Sequence, residues 1–261
     1  MTILSEKKVT SVPVYDTKED RYNSFVSYLD ICFFITRLYN NPKISDKFDN
    51  WKSTTCGEVA NLSKTCAYQS VRNTDNLRSA MLKMVSLSNI RRMPVVDLQD
   101  NLVGILSQSQ IINILSSKIQ TFPIANFAIE DLNLGTLRKI RSIQLTATVK
   151  EAFSVLVEHK FYGIPVVDEQ NHPVGNISAL DIQLVVASDF AALEKPVKDI
   201  LPETHQKRTP ICIRSDQTLT EAFQIMSKEK IHRLFVVDSK NRLAGLISPV
   251  DLIQVLLDNI A

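Results

Sequence analysis

The same phrase returns four times along this chain: an apolar strand ending in aspartate, a turn, a second strand ending in serine, then a helix. It reads Val12-Pro13-Val14-Tyr15-Asp16 to Ser27-Tyr28-Leu29-Asp30, and again Met93-Pro94-Val95-Val96-Asp97 to Ser107-Gln108-Ser109-Gln110. The third copy runs from Ile164-Pro165-Val166-Val167-Asp168 to Ser178-Ala179-Leu180-Asp181, and the fourth from Leu234-Phe235-Val236-Val237-Asp238 to Ser248-Pro249-Val250-Asp251. The first aspartates stand at 16, 97, 168 and 238, in steps of 81, 71 and 70 residues. Such a period means one supersecondary unit copied and packed against its siblings, so function is to be sought between copies.

Each copy reads as β-α-β-β-α. The run Pro165-Val166-Val167-Asp168 is short and β-branched, and Val174-Gly175-Asn176-Ile177 follows after so few residues that the two should pair as an antiparallel hairpin. Glycine is scarce, six in all, yet Gly104, Gly175 and Gly245 hold one place in three copies. That place needs either a small residue or an unusual φ, or it lets the backbone approach a ligand. Ahead of each hairpin an amphipathic helix is expected, with Leu77, Ala80, Met81, Met84 and Val85 at helical spacing, then Ala152, Phe153, Val155 and Leu156, then Ala222, Phe223, Ile225 and Met226. Thr74, Thr148 and Thr218 are its expected caps. A second, more apolar helix follows the hairpin at 111–115, 182–186 and 252–257.

The first copy lacks its opening strand and most of its first helix, as if the chain began inside a repeat. A unit of about 60 residues buries too little alone, so pairs should share a core. The expected division is a first pair over 1–118 (repeats at 1–40 and 57–118) and a second over 119–261 (repeats at 130–190 and 197–261), with 119–130 as the join. The polar stretch 40–63, holding the only tryptophan, Trp51, is expected to link repeats one and two on the outside.

Composition narrows the function. With 30 Lys+Arg against 28 Asp+Glu the net charge is +2, too little for a nucleic-acid or anionic-membrane surface by bulk charge, so any anion site must be local. Cys32, Cys56, Cys66 and Cys212 form no CxxC pair and suit a reducing interior, which makes a cytoplasmic or nuclear protein the expectation. No run approaches 18 apolar residues, and Glu6, Lys7 and Lys8 stand where a signal peptide would need an apolar stretch. There is no G-x-S-x-G, no P-loop, no H-E-x-x-H and no G-x-G-x-x-G, and the four histidines lie near no convincing nucleophile or metal-ligand partner. Neither catalysis nor a metal is expected.

A strand of the form h-P-h-h-D followed by G-h-h-S-x-x-D at a helix start is the motif of CBS domains, and the chain resembles that family. Four copies, with Ile231-His232-Arg233-Leu234 before the fourth strand, Gly245-Leu246-Ile247-Ser248 with Asp251, and the element Leu134-Gly135-Thr136, resemble the gamma subunits of AMP-activated protein kinases. The resemblance implies an α/β (α+β) fold of four CBS repeats in two Bateman pairs forming a disk, the first repeat truncated. It also implies a non-catalytic regulatory subunit that binds AMP, ADP or ATP in clefts between repeats. The implied partners are a Ser/Thr kinase catalytic (alpha) subunit and a scaffold (beta) subunit.

By the same resemblance, Asp30, Asp181 and Asp251 would accept hydrogen bonds from a ribose cis-diol. Arg91, Arg92, His232 and Arg233 would hold phosphates, and Thr136 and Ser248 would touch the nucleotide. Gln110 replaces the aspartate in repeat two, as the family tends to. Thr10 stands where the family usually has a basic residue, and Ser109 replaces another near Gln110, which weakens the site that depends on Asp30. A plainer reading stays open: Ser27, Ser107, Ser178 and Ser248 precede Asp30, Gln110, Asp181 and Asp251 by three positions, the spacing of a helix-capping box. Two rival functions also stay open, an adenosyl-ligand sensor serving another client and a structural module with empty clefts.

Overall fold

The computed structural model describes residues 2–41, 51–65, 68–87, 90–134, 140–188, 190–201 and 210–259. In chain order, α1 (Thr2–Glu6) leads into β1 (Ser11–Asp16), β2 (Arg21–Ser27) and α2 (Tyr28–Asn40); α3 (Cys56–Val59) follows. Repeat two comprises β3 (Val71–Arg72), α4 (Leu77–Ser86), β4 (Arg92–Val96), β5 (Leu102–Ser107) and α5 (Gln108–Ser116). Repeat three comprises β6 (Ile143–Gln144), α6 (Val149–His159), β7 (Gly163–Val167), β8 (Pro173–Ser178) and, after a 3-10 turn over Ala179–Asp181, α7 (Ile182–Ala187). After α8 (Val197–Ile200), repeat four comprises β9 (Cys212–Arg214), α9 (Leu219–Lys228), β10 (Leu234–Val237), β11 (Leu243–Ile247) and α10 (Pro249–Asp258). Each full repeat is a three-stranded sheet whose opening strand runs parallel to the middle one. Among the described residues, the sheet of repeat one holds β1 and β2 alone.

The strand-closing aspartates build the hairpin turns. Asp97 Oδ1 accepts from the backbone N–H of Gln99 (2.9 Å) and Asn101 (2.8 Å), and Asp238 Oδ1 from those of Lys240 (2.8 Å) and Arg242 (2.9 Å). These bonds favour the ionised form and draw both carboxyls below their usual range, with the Asn101 side chain foremost at Asp97 and the Arg242 backbone foremost at Asp238. Three residues on, Asp100, Asn171 and Asn241 take left-handed φ of 62°, 67° and 57°, a conformation that Asn and Asp tolerate. The register then slips once, between Val95 and Val96 and between Val236 and Val237, just past the pairs Val95–Gly104 and Val236–Gly245. Repeat one repeats the slip with Ser24 opposite Val14.

Neither Gly104 nor Gly175 has a positive φ, so the unusual-backbone reading does not apply to them. Gly175 is small because Leu201 lies on it: an added Cβ would come within 2.9 Å of Leu201 Cδ2.

Helix starts follow the sequence closely. Thr148 with Glu151 and Thr218 with Glu221 form reciprocal capping boxes. Repeat two differs: Asn76, not Thr74, caps α4, its Oδ1 accepting from Ser79 N–H at 2.9 Å. Leu77 stands where a Thr74 box would need Glu or Gln, so nothing closes a box there.

The chain divides into two compact units, and they join alternate repeats. Unit one spans Met1–Tyr68, Arg141–Glu169 and Val174–Thr209; unit two spans Gln69–Ile140, Gln170–Pro173 and Pro210–Ala261. In unit one, α2 packs on α6, and Leu29 and Ile35 of repeat one share a core with Phe153, Leu156, Ile177 and Ile182 of repeat three. In unit two, α5 packs on α9 and α10 packs on α4, burying Met84, Ile111, Ile112, Phe223, Leu252 and Leu256 together. Each such side chain contributes about 1.5–3 kcal/mol on burial. The cores therefore do not follow the expected division at residue 119, because the apolar helix faces meet between repeats one and three and between repeats two and four.

The connecting segments also differ from expectation. Residues 124–130 bond to repeat four, Ile129 N–H to Gln217 O (2.9 Å) and Thr220 N–H to Ala125 O (3.0 Å), with Ile124, Ala125 and Ile129 buried. Ahead of repeat four, Val197 N–H reaches Ala147 O (2.8 Å) in repeat three. Ahead of repeat two, Asn61 N–H reaches Phe25 O (3.0 Å) in repeat one, and Ser63 and Thr65 are buried. The end of the 40–63 stretch thus lies inside unit one, while Trp51 packs beside Phe34 with ring centroids 6.1 Å apart. Each entering segment belongs structurally to a different repeat from the one it introduces.

Candidate functional site

All four serine–acid/amide pairs form capping boxes. Ser27, Ser107, Ser178 and Ser248 receive their helix at the N-cap, and Asp30, Gln110, Asp181 and Asp251 return a bond to the cap backbone. Asp181 Oδ2 accepts from Ser178 N–H and Oγ–H, both at 2.7 Å; Asp251 Oδ2 accepts from Ser248 N–H (2.8 Å) and Oγ–H (2.6 Å). The Ser248 hydroxyl, expected at the nucleotide, is therefore engaged in the cap. Gln110 makes the same contacts from an exposed position, its Oε1 accepting from Ser107 N–H at 2.7 Å.

Asp30 and Asp181 are both fully buried, and Asp30 has both oxygens bonded within the chain: Oδ2 accepts from Ser27 N–H (2.8 Å) and Oγ–H (2.6 Å), and Oδ1 from Ser63 N–H (2.9 Å) and Oγ–H (2.6 Å). Both oxygens are already filled by the protein. Asp30 is thus a structural carboxylate in this fold, not the ribose acceptor expected of it. The chain of hydroxyls continues from Ser63 to Thr65 (2.7 Å) and from Thr65 to Tyr162 (3.0 Å). Tyr162 occupies in repeat three the place that Thr10, Arg91 and His232 occupy in the others. Cys32 accordingly has an acidic setting. Burial first, then Asp181 and Asp30, push its thiol well above its usual value, and its Sγ lies 3.6 Å from Ala179 O.

Unit two gathers opposite charge at the equivalent place. His232 Nδ1 lies 3.3 Å from Ser109 Oγ, joining repeats four and two. Burial, and then the guanidiniums of Arg91, Arg233 and Arg92, lower the His232 pKa to about 3. Its imidazole is therefore neutral at physiological pH, a donor–acceptor set among three permanent cations. The main chain helps to hold this arrangement, since Gln108 N–H donates to Arg91 O (2.9 Å) and the Gln108 amide to Ile90 O (2.9 Å). Helix α10, which carries Asp251 in its first turn, packs on α5 in the same unit.

Of the expected site residues, Arg91, Arg92, His232, Arg233 and Asp251 belong to unit two, and Asp30 and Asp181 to unit one. Thr136 lies outside the described residues. Sequence reasoning missed Ser63, Thr65 and Tyr162, which close unit one's polar chain, and Ser109, which meets His232. Ser63 lies in a stretch without periodicity and carried no signal. Ser109 was legible only as a neutral residue where a basic one was expected. Among the described residues no group of three His, Cys, Asp or Glu side chains is placed to hold a metal ion.

A model of the CBS domain matches residues 60–117, 129–188 and 197–258. Residues 11–40 fall outside it, although their slipped hairpin and Ser27–Asp30 box repeat those of the matched segments. The chain is 25% identical to human 5'-AMP-activated protein kinase subunit gamma-3 over 95% of its own length and 52% of the relative's. It is 23% identical to the gamma subunit of Saccharomyces cerevisiae over 98% of its own length and 82% of the relative's. It therefore spans about half of the mammalian relative. A solved Methanocaldococcus jannaschii protein superposes with a TM-score of 0.80 at 18% identity, covering 98% of this chain and 91% of that one. A Pyrococcus horikoshii protein does so at 0.61 and 24%, covering 95% and 91%. These two likenesses concern the fold alone.

Proposed function

This chain belongs to the CBS-domain family, and from that premise we propose that it is a non-catalytic regulatory subunit that binds AMP, ADP or ATP and modulates a Ser/Thr protein kinase. The carrying observation is the unit-two cluster: three guanidiniums around a neutral His232, with Asp251 in the first turn of a helix of the same unit. Phosphates require fixed positive charge and N–H donors, and a ribose diol requires a carboxylate acceptor. Unit two has both chemistries; the Asp30 corner of unit one is filled by hydroxyls and carries carboxylates instead. AMP, ADP and ATP differ in phosphate number and charge, so Arg91, Arg92, Arg233 and His232 are the residues that would tell them apart.

The kinase connection comes from the similarity to gamma subunits along nearly the whole chain. A catalytic alpha and a scaffold beta subunit are the proposed partners, and the cytoplasm, with the nucleus as a further site, is the proposed location. Regulation would require the nucleotides to favour different conformations or partner contacts. Calorimetry of AMP and ATP binding to the wild-type chain and to Arg233→Ala tests the reading. The variant should bind ATP about tenfold or more weakly; unchanged affinity for both nucleotides would remove the cluster from the account. Purification from cells without the two partner chains would favour a different client.

A further inference from the structure

One hydroxyl of unit two stands where the other repeats are apolar. Two residues past the strand-closing serine, Leu29, Leu180 and Val250 hold the place in repeats one, three and four; in repeat two it is Ser109. Ser109 Oγ lies 3.3 Å from His232 Nδ1, and His232 is the one imidazole at a place that Thr10, Arg91 and Tyr162 hold elsewhere. In unit one the corresponding places carry the apolar Leu29 and Leu180, and the Tyr162 hydroxyl bonds Thr65 instead (3.0 Å). The exceptional hydroxyl and the exceptional ring therefore meet each other, across repeats two and four.

What the hydroxyl does follows from the chemistry of a neutral imidazole. One ring nitrogen carries a proton and donates, the other accepts, and the bond made by one fixes the role of the other. With the proton on Nε2, the ring donates to a phosphate oxygen. With the proton on Nδ1, Nε2 turns a lone pair toward the anion and repels it. The first form leaves Nδ1 an acceptor in a half-buried place, where it needs a donor beside it. Leucine or valine could not supply one; a serine hydroxyl can. Arg91, Arg92 and Arg233, the cations around the ring, donate only and draw in the same anion.

We propose that Ser109 is a positioning residue for the phosphate site, its hydroxyl donating to His232 Nδ1 and so holding the ring as the tautomer whose Nε2–H donates to a nucleotide phosphate. This rests on the proposed reading of unit two as the phosphate site, and it names what sets the polarity of the one uncharged donor there.

The test uses the full chain at neutral pH. NMR of the ring nitrogens with AMP bound, the His232 signal being the one lost in His232→Gln, should show the proton on Nε2. By calorimetry, Ser109→Ala should bind AMP about fivefold or more weakly, and Ser109→Thr, which keeps the hydroxyl, should bind it as the wild type does. In His232→Gln, whose amide nitrogen stands in for Nε2 and has no tautomer to set, adding Ser109→Ala should change the affinity by less than about twofold. A proton on Nδ1, an equal loss from Ser109→Ala in both backgrounds, or unchanged AMP affinity in Ser109→Ala while Arg233→Ala binds weakly would overturn the Ser109 assignment and leave the unit-two site standing. A wild type that binds no AMP, or an Arg233→Ala chain that binds AMP and ATP undiminished, would overturn the reading of unit two and this assignment with it.

Discussion

His232 shows how a residue's setting decides its charge. Burial and three nearby guanidiniums lower its pKa from 6.5 to about 3, so the folded state resists a proton that the unfolded chain accepts. The sign of the consequence follows from linkage: a depressed histidine pKa leaves stability intact above about pH 6.5, and stability is lost as pH falls from there toward about 3. The melting temperature should therefore drop on acidification through that window, and less steeply in His232→Asn, as scanning calorimetry at a series of pH values would reveal. Parallel pH profiles for the two proteins would contradict the setting described. Asp30 makes the complementary point. The same spacing that puts Asp251 in a capping box puts Asp30 in one too, but Ser63 takes Asp30's second oxygen from a distant segment. Spacing made the box legible; the occupant of the other oxygen was not, because Ser63 lies in a stretch with neither period nor motif.

At the scale of elements, the repeat was readable because each part has a local cause. The strand-closing aspartates bond their own turns, the serines cap their own helices, and the apolar faces of α4, α6 and α9 follow the helical period with Met81, Met84 and Met226 buried. The Thr74 expectation failed on one local detail, the lack of an acid or amide at Leu77. The glycines divide by environment. Gly175→Ala places a Cβ 2.9 Å from Leu201 Cδ2 and should destabilise the chain by about 1–2 kcal/mol in urea titration. Gly104→Ala meets only Val95 Cβ at 3.9 Å and should be neutral within about 0.5 kcal/mol. Equal losses at the two positions would mean that the glycine place answers to something other than Leu201.

At the scale of the whole molecule, which repeats share a core could not be read from the period. A repeat that buries little alone must find a partner, and the spacing of 70 or 71 residues is the same whether that partner is the next copy or the next but one. Helix faces decide it, α2 against α6 and α5 against α9, and single-sequence periodicity shows which face is apolar without showing what it meets. The same pairing sorts the charges, carboxylates and hydroxyls in unit one and guanidiniums around a neutral imidazole in unit two. Equilibrium dialysis of the purified chain against radiolabelled AMP probes that arrangement most directly. Saturable binding is predicted, weakened about tenfold or more by Asp251→Ala with helix content retained by circular dichroism. A wild-type chain that takes up no AMP at millimolar concentration would contradict it.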